Sequence, residues 1–247
     1  MEDFYAFREY LERVVRLNCG IELDERAAGL FERFARLLVT ENEKYNLTAI
    51  TRPDEVALLH FCDSLTISRY IPEGASVCDV GTGAGFPSLP LAIVRPDLCI
   101  TAVDATAKKT VFLQKAAEEL SLRNLTALTG RAEELFSSAA RKNLRARFDA
   151  VTARAVARAG VLCELGAAGL REHGKLILMK GERAEVELAG SEAALRELGL
   201  RFVSVEKMRL EDGEREYSRN VIIFERLSKT SDKYPRRFAK IKSEPLF

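Results

Sequence analysis

The chain has 247 residues, 47% of them hydrophobic and 30% charged, with a formal net charge of +1. That length holds one large α/β domain with an appendage or two small domains, and the near-neutral balance excludes nucleic-acid binding through bulk charge alone. The five cysteines (Cys19, Cys62, Cys78, Cys99 and Cys163) are scattered, with no C-x-x-C pair and no Cys/His cluster, which argues against a metal or a disulfide framework and for a reducing cytoplasm.

Residues 3–17 place Phe4, Phe7, Leu11, Val14 and Val15 at helical spacing between charges. The same stretch alternates acids with aromatics and lacks the apolar run of a signal peptide. No apolar run in the chain reaches the length of a membrane span, so no membrane partner is expected. A second helix follows Asp24, a plausible cap, with Ala27, Leu30, Phe31, Phe34, Leu37 and Leu38 on its inner face. Residues 45–51 form a polar connection, and Pro53 opens a third helix through Val56, Leu59 and Leu65. It carries His60, Asp63 and Ser64 at i, i+3 and i+4, a pattern that by itself favours a solvated face.

The organising stretch is residues 77–90, VCDVGTGAGFPSLP. Val77, Cys78 and Val80 read as a buried strand; Gly81, Gly83 and Gly85 permit a tight turn with backbone N–H groups close to a ligand; Pro87 then suits the first turn of a helix. A dinucleotide fingerprint G-x-G-x-x-G would need a third glycine where Phe86 stands, which weakens the nicotinamide reading. The form present, Asp79-x-Gly81-x-Gly83-x-Gly85, resembles motif I of class I S-adenosylmethionine (SAM) methyltransferases.

From residue 76 onward strands and helices alternate, the pattern of a doubly wound parallel sheet. The second strand, 98–103, ends at Asp104, 25 residues beyond Asp79, where a carboxylate can accept hydrogen bonds from both hydroxyls of a ribose. A helix over 107–120 and a third strand, 125–128, lead to Ala132 and Glu133. Glu133 can meet an adenine edge, and equally can serve as an acid in the first turn of a helix. The fourth strand, 148–152, runs into Arg154. The fifth, 175–179, ends at Lys180, Gly181, Glu182 and Arg183, again the edge where ligands bind. A helix over 184–198 and two β-rich runs, 201–205 and 220–224, separated by a segment containing Gly213, predict a closing antiparallel hairpin.

Charge is local. Residues 226–242 hold Arg226, Lys229, Lys233, Arg236, Arg237, Lys240 and Lys242 against Asp232 alone, with Tyr234 and Phe238 among the cations. Such a run can neutralise phosphates and stack on bases, although charge alone equally describes a solubilising tail. A second basic run, residues 141–147, includes Arg145. Two basic clusters flanking one ligand site favour RNA.

Taken together, Asn46-Leu47-Thr48, His60-x-x-Asp63-Ser64-Leu65, the Asp79 to Pro87 loop, Arg131-Ala132-Glu133-Glu134, Arg154-Ala155-Val156, Lys180-Gly181 and Lys233-Tyr234-Pro235-Arg236-Arg237 resemble the bacterial RsmG (GidB) family, in order and over essentially the whole chain. One departure is the end, FAKIKSEPLF, where such proteins often carry a G-T-P-N-K-K-P-L-like sequence. The resemblance implies an α/β class I SAM-dependent methyltransferase fold with a Rossmann-like seven-stranded sheet and an N-terminal helical extension. It implies SAM as cofactor and N7 of a guanine in the decoding-region loop of 16S rRNA as target, on the small ribosomal subunit or its precursor. Residues 1–72 are then a helical cap, 73–227 the SAM-binding core and 228–247 a basic tail. Asp79, Gly81, Gly83, Gly85, Phe86, Asp104, Ala132, Glu133 and Arg154 are expected around SAM, and His60, Arg145, Lys180, Arg183, Arg236 and Arg237 against RNA. No residue is assigned as catalytic and none to a metal, because guanine N7 has an in-plane lone pair and requires alignment rather than a general base. A monomer is expected, although the residues themselves leave the oligomeric state open, with no heptad pattern or exposed apolar stripe standing out. The competing readings are a small-molecule methyltransferase, which has no use for the basic clusters, and a SAM-responsive RNA-binding protein without catalysis.

Overall fold

The computed structural model describes residues 5–140, 144–182 and 184–247. Among them seven strands form one sheet in the order β3-β2-β1-β4-β5-β7-β6: β1 (Ser76–Val80), β2 (Cys99–Asp104), β3 (Leu125–Thr129), β4 (Phe148–Arg154), β5 (Leu170–Lys180), β6 (Leu200–Glu211) and β7 (Glu216–Arg226). The first five are parallel; β7 runs antiparallel to both β5 and β6. The strands alternate between the two faces: Val77, Ala150, Ile177 and Val221 pack into one hydrophobic cluster, and Cys78, Val151, Leu178 and Ile222 into the other. Both faces are therefore covered, as the apolar runs require.

The first cluster lies under α1 (Tyr5–Cys19), α2 (Glu25–Tyr45), α5 (Ser88–Val94) and α6 (Ala107–Glu119). Asp24 caps α2, its side chain accepting from Ala27 N at 2.7 Å. The third predicted helix is continuous but not uniform. It runs from α3 (Pro53–Glu55) through a π-helical stretch, Val56–Cys62, to α4 (Asp63–Leu65). Within it the Asp63 N–H reaches back five residues to Leu58 O. The wider turn rotates the residues beyond it about the helix axis, and the expectation of a solvated polar face is overturned: His60, Asp63 and Ser64 are all buried.

The second cluster lies under α7 (Ala132–Leu135), α8 (Ala159–Ala167), α9 (Glu192–Leu198) and α10 (Phe238–Ser243). The helix expected over 184–198 is shorter. Gly190, at φ +73°, interrupts it after a single 3₁₀ turn (Val186–Leu188), and only the second half is α-helical. Helix-forming composition extended the expectation past a glycine that the backbone uses as a turn. The segment 228–247 lies against the same cluster through Tyr234, Phe238, Ile241, Leu246 and Phe247.

Candidate functional site

The strand order reverses direction at β1, whose neighbours are β2 and β4, so a crevice opens beyond the carboxyl ends of these three strands. Gly81, the first residue of the glycine loop after β1, lines it. Gly81, at φ +71°, takes a backbone conformation that L side chains rarely adopt, and a Cβ there would meet the Val156 side chain at 2.7 Å. Gly85 is required from the other side: its Cβ would fall 2.4 Å from Leu89 Cδ1. The loop is tied to β2, since Gly81 N and Thr82 N donate to Val103 O and Gly83 N donates to Asp104 Oδ2 at 3.1 Å.

A cleft of about 370 Å³ results from this arrangement, lined by Gly81, Asp104, Ala132, Glu133, Arg154 and Val156 among others. Asp104 is one of its walls. Its two oxygens receive backbone N–H groups from Gly83 and Thr106, and a carboxylate oxygen keeps a further lone pair for a ligand hydroxyl. Lys109 Nζ stands 3.6 Å from Asp104 Oδ2, and Arg131 pairs with Glu133 at 3.6 Å. Burial raises the pKa of Glu133, opposed by the N–H of its own backbone and by Arg131. Behind the loop, Asp79 is fully enclosed. Its Oδ1 accepts from Thr152 Oγ1 at 3.1 Å, while Oδ2 is buried with no hydrogen-bond partner. Burial pushes its pKa up to about 6, with the hydroxyls of Thr82 and Thr152 pulling the other way.

A second hollow, of about 290 Å³, adjoins the first and shares two of its residues, Arg154 and Ala155. Its other walls include Ile50, Leu59 and Asp63 from the N-terminal third, Met179 to Gly181 from the end of β5, and Arg219 to Val221 from β7. Ala155 is at φ +54°, an unusual backbone for a residue with a Cβ, and it occupies the junction of the two hollows.

Arg154 is held from several sides. It donates to Leu59 O at 3.0 Å, to Asp63 Oδ2 at 2.9 Å and to His60 Nδ1 at 2.8 Å, and its guanidinium lies 5.2 Å from the centre of the Phe86 ring. Burial lowers its pKa, and the charges of Asp63 and Asp79 counter this. Because a guanidinium only donates, His60 Nδ1 is the acceptor, so Nε2 carries the proton and donates to Thr48 Oγ1 at 2.8 Å. Burial, with Arg154 beside it, pushes the His60 pKa down to about 3, consistent with a neutral ring. Asp63 also takes Arg219 Nε on Oδ1 at 3.1 Å, so one buried carboxylate spans two arginines.

The residues expected around SAM divide into three groups. Gly81, Asp104, Ala132, Glu133 and Arg154 line the cleft. Gly83 and Gly85 shape the loop from below, and Asp79 lies behind it. Phe86 is placed elsewhere: it is turned into the aromatic cluster of the helical layer, stacked on His60 with centroids 4.3 Å apart. Of the residues expected against RNA, His60 is interior, and Arg145 binds the carbonyls of Phe136, Thr230, Ser231 and Tyr234. Lys180 pairs with Glu187 at 2.8 Å and bonds Ala157 O, while Arg236 forks onto the buried Glu164. Arg183 lies outside the described residues, as do residues 141–143 of the second basic run. Arg237, Lys240 and Lys242 are exposed and make no ion pair among the described residues. Arg219 and Asn220 went unnoticed as site residues, because in sequence they only mark the boundary between the hairpin's connecting segment and a β-forming run.

A family model described as rRNA small subunit methyltransferase G matches residues 28–221. A curated relative of that name from Leuconostoc citreum is 41% identical over 233 residues, 93% of this chain and 95% of its own length. Another from Carboxydothermus hydrogenoformans is 40% identical over 219 residues, covering 88% of this chain and 91% of its own. Among solved structures, a SAM-dependent methyltransferase from Aquifex aeolicus superposes with a TM-score of 0.51 at 17% identity over 75% of this chain and 97% of its own. M. jannaschii TYW2, solved in complex with AdoMet, gives 0.51 at 15% identity over 67% of this chain and 77% of its own. These two likenesses establish the shared sheet architecture.

Proposed function

The chain belongs to the rRNA small subunit methyltransferase G family, and from that premise we infer how its site is divided: the cleft around Asp104 holds SAM and the adjoining hollow faces the RNA. The chain is a SAM-dependent methyltransferase of small-subunit rRNA, with N7 of a guanine in 16S rRNA as its target. The observation that carries the division is the meeting of the two hollows at Arg154 and Ala155, since a methyl group moves only between ligands in contact.

The donor set suits the cofactor. Asp104 offers carboxylate lone pairs to ribose hydroxyls, Ala132 and Glu133 border the place of the adenine, and the unpartnered Oδ2 of Asp79, behind the loop, is an orphaned acceptor that an ammonium would satisfy through water. Bound SAM supplies a methyl on a sulfonium sulfur. The lone pair of guanine N7 forms the new N–C bond as the S–C bond breaks and leaves its electron pair on sulfur, so positive charge passes to the purine and no proton moves. The protein's part is alignment and electrostatics: Asp79 and Asp63 offset the arginine charge beside a purine that becomes cationic.

We read residues 73–227 as the catalytic core, with 1–72 and 228–247 framing it for RNA. Arg237, Lys240 and Lys242 are the tail cations left to meet phosphate. The small subunit or its precursor as substrate, a monomeric enzyme and a cytoplasmic site of action complete this reading. No helix among the described residues is long and apolar enough to cross a membrane. The test is transfer from labelled SAM to small subunits lacking the modification, followed by nucleoside mapping. Label in 7-methylguanosine at one position is the expected result; SAM binding with no transfer to subunit or free RNA would overturn the substrate.

A further inference from the structure

We propose that the second hollow is a base pocket built for guanine, and that Asn220 of β7 reads the Watson–Crick edge of the extruded base; this rests on the division of the site given above. The hollow's volume, about 290 Å³, is at the small end of ligand pockets and suits one base rather than a run of nucleotides. Ile50, Leu59, Met179 and Val221 supply apolar surface for the faces of a flat ring. A base taken out of its stack needs such surface to replace what it leaves.

Orientation decides which edge meets which group. N7 must point to the junction at Ala155, so the opposite edge, with the N1–H and 2-amino donors, points into the hollow and requires acceptors. Asp63 is already shared between two arginines. Asn220 Nδ2 donates to Gly181 O at 2.8 Å, which fixes the amide and leaves Oδ1 as its acceptor for a ligand. Arg219, pinned by Asp63 at 3.1 Å, is a donor suited to O6. Adenine presents an acceptor at N1 and no 2-amino group, so the same groups face it unpaired. A site that hydrogen-bonds its substrate rejects an analogue lacking the partner far more strongly than an apolar pocket does.

The test compares RNA carrying guanosine or inosine at the mapped position, inosine lacking only the 2-amino group. The wild-type enzyme is expected to prefer guanosine by at least about tenfold in kcat/KM. Asn220→Ala is expected to lower kcat/KM on guanosine by a similar factor and to bring the ratio close to one, with SAM affinity within about twofold of wild type. Ile50→Trp, at the half-exposed rim, is expected to block transfer while SAM still binds, which keeps the proposal testable should Asn220→Ala fold poorly. Retention of both turnover and guanosine preference by Asn220→Ala, or of turnover by Ile50→Trp, would overturn the base pocket. Failure of the wild-type enzyme to methylate either RNA would instead overturn the underlying reading.

Discussion

Asp79 is enclosed, has one oxygen without a partner, and carries a pKa raised from 3.8 to about 6. Between those values the folded chain holds a proton that the unfolded chain has released, so stability falls as pH rises through the window and the cost persists at neutral pH. His60 acts oppositely. Its pKa drops from 6.5 to about 3, so the unfolded chain takes up a proton that the folded one refuses, and stability falls as pH decreases through that range. Asp79→Asn is therefore expected to stabilise the SAM-free protein by about 1–3 kcal/mol at pH 7, and to lose that advantage at pH 4. It is also expected to weaken SAM binding at least tenfold. Thermal unfolding at the two pH values and a calorimetric SAM titration check this; a variant that binds SAM normally would remove Asp79 from the cofactor site.

At the level of elements, the tail is clasped to α8. Glu164 is completely buried and receives Arg236 through Nε at 2.9 Å, Nη2 at 2.7 Å and the backbone N–H at 2.8 Å. Removing one partner of a buried pair strands the other charge. Arg236→Ala is expected to cost about 3–5 kcal/mol in a denaturant titration, and Glu164→Gln in the same background to recover part of it. An Arg236→Ala variant as stable as wild type would show that the pair does not hold the tail. Here the sequence was legible only in part. Composition revealed seven cations but not which of them face a buried glutamate or a row of carbonyls, because partners so distant in the chain leave no local pattern. The same applies to His60 and Asp63: their spacing on one helix face was plain, yet the π-helical turn that buries that face has no signature in hydrophobic period.

For the molecule as a whole, the sheet was readable because alternating and continuous apolar runs report burial directly, and Asp79, Asp104 and the glycines stand where strand ends must place them. The second hollow was not readable, since Ile50, Asp63, Arg154 and Asn220 come from segments that only the completed topology brings together. Separating the clasping cations from the exposed ones leads to a prediction about the intact enzyme. Joint replacement of Arg237, Lys240 and Lys242 by Ala is expected to reduce the salt slope of RNA binding by about 2–3 in log–log terms, with SAM affinity unchanged. An unchanged slope would show that this end of the chain does not touch phosphate. The walls of the second hollow also bear on the order of assembly. Arg219 to Val221 belong to the closing hairpin, whose β7 pairs with β5 on one side and β6 on the other. The acceptor pocket is therefore complete only once that hairpin has docked on the parallel strands, so loosening the hairpin would dismantle the place of the purine before it disturbed Asp104.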